Sequence, residues 1–265
     1  MRRAAMARER RRLLIPADRL ADEVPLSAAE AHYLTRVLRL APGQGCDVVD
    51  GAGRRWSALL VGGDRLQLEQ PLAHPLEQQP RRLPSLALAV ALPKRDVELI
   101  WRMATELGID HLQPLQAERC VVRNRWPQER WQAILREATE QSERLWLPEL
   151  ALPQTAAAWF SNPCRGLKLL ASSRGSDLPH LLERLPSRSS HQADPASRLD
   201  QVCLAIGPEG GWSPEEEATA LQHGWMPVSA GPTILRTVTA AVTAAAWLAG
   251  WRATLSSSSS PAQSP

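Results

Sequence analysis

The stretch IGPEGGWSPEE, residues 206–216, closes the apolar run VCLAI (202–206) and places three glycines, two prolines and Glu209 ahead of a helix start. Ser213 is positioned to cap that helix, Pro214 to occupy its first turn and Glu216 to complete a capping box. The loop is therefore expected at the C-terminal end of a buried strand, the edge where open parallel sheets collect ligands. Gly207, Gly210 and Gly211 permit positive φ and let a ligand approach the backbone. The spacing is not GxGxxG, and no GK[ST] follows, so neither the dinucleotide fingerprint nor a phosphate loop applies. Glu209 opposes a pyrophosphate. A neutral or cationic ligand, such as an adenosine carrying a sulfonium, fits this composition. The alternative is a tight strand–helix turn that holds nothing.

Downstream, MPVSAGPTILRTVTAAVTAAAWL (226–248) reads as a short strand ending at Gly231, a proline-containing loop and an alanine-rich helix. Arg236 falls where the helix begins, an unfavourable place for a cation, so a ligand, another chain or solvent must compensate it. The face formed by Ala240, Ala241, Ala244 and Ala245 permits close packing, in the core or against a second subunit.

Upstream, LALAVAL (86–92) has the continuous apolar character of a strand buried on both faces. Val97, Ile100, Trp101, Ala104 and Leu107 follow at helical spacing, with Gly108 as the C′ residue. HLQPLQA, KLLAS (168–172) and the run before Gly207 supply further strands, and Pro127 opens another helix. Repeated βα units imply an α/β architecture with a largely parallel sheet. Residues 13–75 differ: short apolar runs separated by PGQG, DGAG and GGD predict a small β module, with one helix capped by Ser27 and Glu30. The proline-rich segment 76–84 is the expected boundary. PSRSSHQADPASRLD (186–200) reads as a mobile surface loop and SSSSSPAQSP (256–265) as a disordered tail.

The 265 residues are 44% apolar and 22% charged, which suits a globular chain with a sizeable core. No run approaches the ~20 apolar residues of a membrane span. The start, MRRAAMARERRRLL, lacks a signal-peptide core, and Met6 is an equally suitable first residue. Cys46, Cys120, Cys164 and Cys203 are scattered without CxxC, and the six histidines are dispersed. Zinc, other metals and a disulfide framework are not expected, and a reducing cytoplasm is. Net charge is +3, but residues 1–84 carry fourteen Arg and no Lys against ten acidic residues, so they hold +4 and the remainder −1. Arginine forks suit phosphate contacts, although a solvated face would look the same.

GPEGGWSPEEEATALQHGWMPVSAGPTILRTVTAA resembles the C-terminal signature of the ribosomal RNA small-subunit methyltransferases that modify uridine N3, members of the knotted SPOUT class. HYLTRVLRL with PGQG, ALPKRD with ATELGID, AERCVV and EATEQSER agree in the same order, so the resemblance spans about residues 10–252. It implies a PUA-like, RNA-binding β-barrel over 1–78 and a trefoil-knot methyltransferase domain over 84–255. It further implies a homodimer, S-adenosylmethionine as cofactor and 16S ribosomal RNA or the small subunit as substrate. The implied cofactor residues are Ala171, Ser172, Ile206, Gly207, Pro208, Glu209, Gly210, Gly211, Ala230, Gly231, Ile234, Leu235, Arg236 and Thr237. Arg236 is the candidate for stabilising a developing uracil anion, or else for ordering the loop. Arg11, Arg12, Arg36 and Arg39 are the candidate RNA contacts. Two positions depart from the family: Val238 replaces the acid of RTETA, and Met103 replaces the lysine before ATELG. A non-catalytic RNA-binding protein of the same fold and a knotted enzyme acting on another RNA are the alternative readings. A nucleotide-dependent enzyme ranks below both.

Overall fold

The computed structural model describes residues 10–121, 126–163, 166–172, 177–187 and 199–256. The start residues, Cys164, the end of the AERCVV segment, most of the 186–200 loop and the tail beyond 256 lie outside them. The chain divides into two units, one comprising Met1–Arg81 with Arg136–Leu147, the other Arg82–Leu135 with Pro148–Pro265.

The first unit is built on one sheet. Its strands are β1 (Arg12–Leu14), β2 (Glu23–Pro25), β3 (Gly45–Val49), β4 (Arg54–Val61), β5 (Arg65–Leu68) and β6 (Glu77–Gln78). Their order is β1-β3-β4-β5-β2, with β6 on β4, and only the β1–β3 pair is parallel. Alternation sets the faces: Leu66 and Leu68 of β5 are buried, whereas Arg65 and Gln67 face outward. Trp56, Leu34, Leu60, Leu66 and Val48 make the core. Helix α1 (Ala28–His32) runs on as a π-helical turn, Tyr33–Val37. Its expected capping box is present: Ser27 Oγ accepts the Glu30 N–H, and Glu30 accepts the Ser27 N–H at 2.7 Å.

Arg136–Leu147 groups with this unit, which interrupts the single span 84–255 read from the sequence. Leu145, Trp146 and Leu147 cluster with Leu14 and Val49, and Gly53 N–H donates to Leu145 O at 2.9 Å. Leu14 N–H donates to Glu140 Oε1 at 2.8 Å. Burial pushes the Glu140 carboxyl up from 4.5 to about 7, against the lowering effects of the Leu14 N–H and Arg136 and with small raising effects from Glu137 and Glu30. The folded chain therefore binds a proton that the unfolded chain has released, so stability falls as pH rises through this window. Glu140→Gln keeps the acceptor but not the titration. It is expected to flatten the slope of unfolding free energy against pH, which for one proton approaches about 1.4 kcal/mol per pH unit. Denaturant titrations on either side of the window measure it, and an unchanged slope refutes it.

The second unit is an α/β layer structure. In chain order it contains β7 (Ser85–Ala91), α2 (Val97–Glu106), β8 (His111–Gln116), α3 (Gln128–Gln141, whose second half belongs to the first unit) and β9 (Glu149–Leu150). Then come β10 (Gln154–Thr155), α4 (Ala156–Ser161), β11 (Leu167–Ala171), α5 (Leu181–Arg184) and β12 (Gln201–Ile206). It ends with α6 (Pro214–Gln222), β13 (Met226–Val228) and α7 (Thr237–Ser256). All strands are parallel, in the order β10-β8-β7-β12-β11-β13, with β9 also on β8. Central β7 and β12 are buried along nearly their whole length, which accounts for their unbroken apolar sequence. Gly108, at φ +93°, ends α2 as the sequence indicates.

β13 lies at the sheet edge beyond β11, yet α7 packs on β7, β12 and α2. Between them the chain has to pass back across the C-terminal end of β11. The alanine face of α7 makes this return possible. Ala240, Ala241, Ala244 and Ala245 are all buried within the chain, so they serve intramolecular packing and not a second subunit. Val238 and Met103 are half-buried on the packed pair α7 and α2. Among the described residues no helix is long and apolar enough to cross a membrane, and no group of three or more His, Cys, Asp or Glu is placed to hold a metal.

Candidate active site

Three loops meet at the C-terminal edge of the parallel sheet. They leave β11 at Ala171, β12 at Ile206 and β13 at Val228, and two side chains tie the glycine loop to the end of β11 and to the start of α7. Trp212, buried at the end of the glycine loop, donates its indole N–H to Ala171 O at 3.0 Å. Thr237, the first residue of α7, donates its hydroxyl to Gly207 O at 2.9 Å. The capping box foreseen from sequence fixes the start of α6: Ser213 Oγ accepts the Glu216 N–H, and Glu216 accepts the Ser213 N–H.

A cavity of about 510 Å³ lies between these loops, within the usual range of small-molecule sites. Of the sequence candidates, Ala171, Ser172, Ile206, Gly207, Pro208, Gly211, Ala230, Gly231, Ile234, Leu235 and Thr237 line it. Glu209, Gly210 and Arg236 do not. Glu209 and Gly210 are exposed on the outer turn of the loop, where Gly210 O accepts from Arg119. Arg236 precedes α7, its carbonyl accepting the Ala240 N–H at 2.8 Å. Its side chain is exposed and, among the described residues, makes no hydrogen bond or ion pair.

Glycine is favoured at two of these places for different reasons. A Cβ on Gly207 would meet the Trp212 ring at 3.1 Å, and Gly211 sits at φ +73°.

The sequence reading missed part of the lining. His180, Glu183 and Glu217 also face the cavity. Glu217 directly follows the capping Glu216, so its neighbour's role was the available signal. His180 and Glu183 come from the segment after β11, which has no periodicity to announce them. Among the described lining residues the charged ones are the carboxylates Glu183 and Glu217, with Ser172 Oγ at 3.3 Å from Glu217. His180 Nδ1 accepts the Leu182 N–H at 3.2 Å, and the ring packs edge-on against Trp247. In the neutral ring the proton is thereby placed on Nε2.

The arginine candidates sit in the first unit. Arg11, Arg12 and Arg39 line a separate open cleft of about 1180 Å³ together with Arg10 and Arg55. Arg10 is held by Glu69 and Arg12 by Glu143, while Arg55 bridges Asp47 and Glu77. Arg11 and Arg39 form no ion pair among the described residues, and Arg39 adopts φ +57°. Arg36 is exposed on the π-helical turn, outside the cleft.

The family described as RNA methyltransferase domain matches residues 80–249, and that described as RNA methyltransferase PUA domain matches residues 26–69. With a glycine-loop cavity at the edge of a parallel sheet whose chain passes back across the end of β11 before its last helix, these define a knotted, SPOUT-class RNA methyltransferase carrying a PUA-like domain. The ribosomal RNA small subunit methyltransferase E of Synechocystis is 40% identical over 236 residues, covering 86% of this chain and 74% of that protein. The protein of that name from Neisseria gonorrhoeae, solved bound to S-adenosyl methionine, superposes with a TM-score of 0.73 at 26% identity, over 91% and 97% of the two chains. A putative methyltransferase from Legionella pneumophila, solved with the cofactor SAM, gives 0.76 at 27% identity, over 91% and 98%. The chain belongs to the ribosomal RNA small subunit methyltransferase E family.

Proposed function

We propose that the protein methylates N3 of a uridine in 16S ribosomal RNA, using S-adenosylmethionine, as a cytoplasmic homodimer. The observation that carries this reading is the cavity between the three loops, whose charged lining among the described residues is acidic in a chain of this family. A cationic ligand fits such a lining, and a polyphosphate does not. The backbone of residues 207–211 and 229–235 would hold the adenosine and methionine parts, with Ile206, Leu235 and Ala240 as apolar wall. Glu217 and Glu183 would face positive charge on the ligand. When bound, S-adenosylmethionine supplies an electrophilic methyl on a sulfonium, displaced in line and leaving a neutral thioether.

The chain's own part is positional. Uridine N3 has to lose its proton and leave its base pair to face the methyl, so an unpaired or displaced base is the substrate. Arg236, exposed beside the cavity and free of protein partners among the described residues, is the candidate to hold the negative charge that develops at O2 or O4. Arg11 and Arg39 are the best-placed phosphate contacts, because Arg12 already serves Glu143. Dimerisation is supported by α7. The helix is apolar nearly all round, and Val238, Val242, Ala246, Ala249 and Gly250 remain partly or fully exposed on it.

Methyl transfer from labelled S-adenosylmethionine to small subunits lacking the modification, followed by nucleoside analysis, tests the proposal. Labelled 3-methyluridine is expected. Label in any other nucleoside overturns the position, and absence of both label and cofactor binding overturns the enzymatic reading in favour of an RNA-binding protein.

A further inference from the structure

The glycine loop is held from a direction that the reaction itself does not use. After β8 the chain turns through Ala117–Cys120, part of the AERCVV motif, and none of these residues lines the cavity. Arg119 nevertheless donates from one nitrogen, Nη1, to Gly210 O and to Trp212 O, each at 3.0 Å. Its aliphatic stem lies under the loop: a Cβ on Gly210 would meet Arg119 Cβ at 3.3 Å and Cδ at 3.4 Å. One residue earlier, Glu118 N–H donates to Glu216 Oε1 at 2.8 Å, the same carboxylate that receives the Ser213 N–H at 3.0 Å.

The consequence follows from peptide planarity. In a trans peptide the C=O and the next N–H point in opposite directions within one plane. The Gly210–Gly211 plane has its oxygen on Arg119 and its N–H on Pro208 O at 2.8 Å. The Trp212–Ser213 plane has its oxygen on Arg119 and its N–H on Glu216. Each plane is thus fixed at both polar ends. Pro208, Gly211 and Trp212 are themselves cavity lining, so the orientation of these planes sets the shape of the wall. A loop with glycines at 207, 210 and 211 would otherwise sample many conformations and lose that freedom on binding.

The geometry points to Arg119 as a positioning residue that pre-forms the cofactor wall from outside the cavity. This rests on the cofactor reading above. Arg119 touches neither cavity nor ligand space; it acts through two peptide planes. Lysine at this position lacks the fixed planar fork and would hold the planes less well.

The test uses the full chain and measures S-adenosylmethionine binding by calorimetry, alongside amide hydrogen exchange over residues 207–213 and the thermal midpoint. Arg119→Ala is expected to weaken binding by about tenfold, from the loss of charge-assisted hydrogen bonds. Exchange in the loop should speed up, while kcat at saturating cofactor stays near the wild-type value. Arg119→Lys should fall between. Gly210→Ala, which presses on the Arg119 stem from the loop side, should weaken binding in the same direction, so the test does not depend on one variant. A wild-type affinity in both Arg119→Ala and Gly210→Ala overturns the assignment, as does an affinity loss with unchanged loop exchange. A wild-type protein that binds no S-adenosylmethionine would instead overturn the proposed function.

Discussion

Arg236→Ala is expected to lower methyl transfer by about 10²–10³-fold, the usual effect of removing one donor to a developing anion. S-adenosylmethionine affinity should stay close to the wild-type value. The two expectations come from the same fact: Arg236 lies outside the cavity lining and has no partner among the described residues. The loop is ordered by other groups, namely Thr237 on Gly207, Trp212 on Ala171 and Arg119 on Gly210. Single-turnover transfer and calorimetric binding separate the alternatives. A large affinity loss with little change in the chemical step would return Arg236 to a loop-ordering role. Arg236→Lys keeps the charge but not the fork, and should recover part of the rate.

The second large effect lies at the other end of α7. Arg252 is only 5% exposed and pairs with the Asp110 carboxylate. It also donates to Gly108 O at 2.5 Å and Pro84 O at 3.4 Å, which joins the helix end to the turn after α2 and the start of β7. Asp110 in turn accepts the Leu86 N–H at 2.9 Å. Removing Arg252 leaves a half-buried carboxylate and two carbonyls without this cation. Arg252→Ala is therefore expected to cost about 3–5 kcal/mol of stability. Denaturant unfolding of the second unit measures it, and a cost below about 1 kcal/mol would contradict the argument. Asp110→Asn in the Arg252→Ala background should recover part of the loss, because the carboxylate no longer carries a charge. Fifteen residues separate Arg252 from Thr237, about 22 Å along the helix. Cofactor affinity per folded molecule should accordingly be little affected.

Much of the fold was legible because local rules and packing agree. The Ser27 and Ser213 capping boxes, the Gly108 helix end and the unbroken apolar runs of β7 and β12 all follow from signals within a few residues. The glycine loop was placed correctly for the same reason: a buried strand and a capped helix leave no other position for residues 207–212. The cavity was harder. Gly207 and Gly211 follow from the loop composition and Ala171, Gly231 and Thr237 from family resemblance, whereas His180, Glu183 and Glu217 were not reached at all. Their neighbours in space come from other strands, and no periodicity marks them.

The sequence by itself determined the long elements, their order and the chemistry of the loop, because each depends on short-range sterics, capping and the period of apolar residues, while the short β9, β10, α4 and α5 carry no such period. Only the tertiary structure decided where those elements meet. It turned the alanine face of α7 inward, since the returning helix needs small residues to lie on β7, β12 and α2. It moved Arg136–Leu147 into the first unit, since Leu145 completes a cluster with Leu14 and Val49 that lie far away in sequence. It also separated Arg236, Gly210 and Glu209 from the cavity lining and brought Arg119 to the loop. Such placements depend on contacts across nearly a hundred residues of chain, and no local signal encodes them.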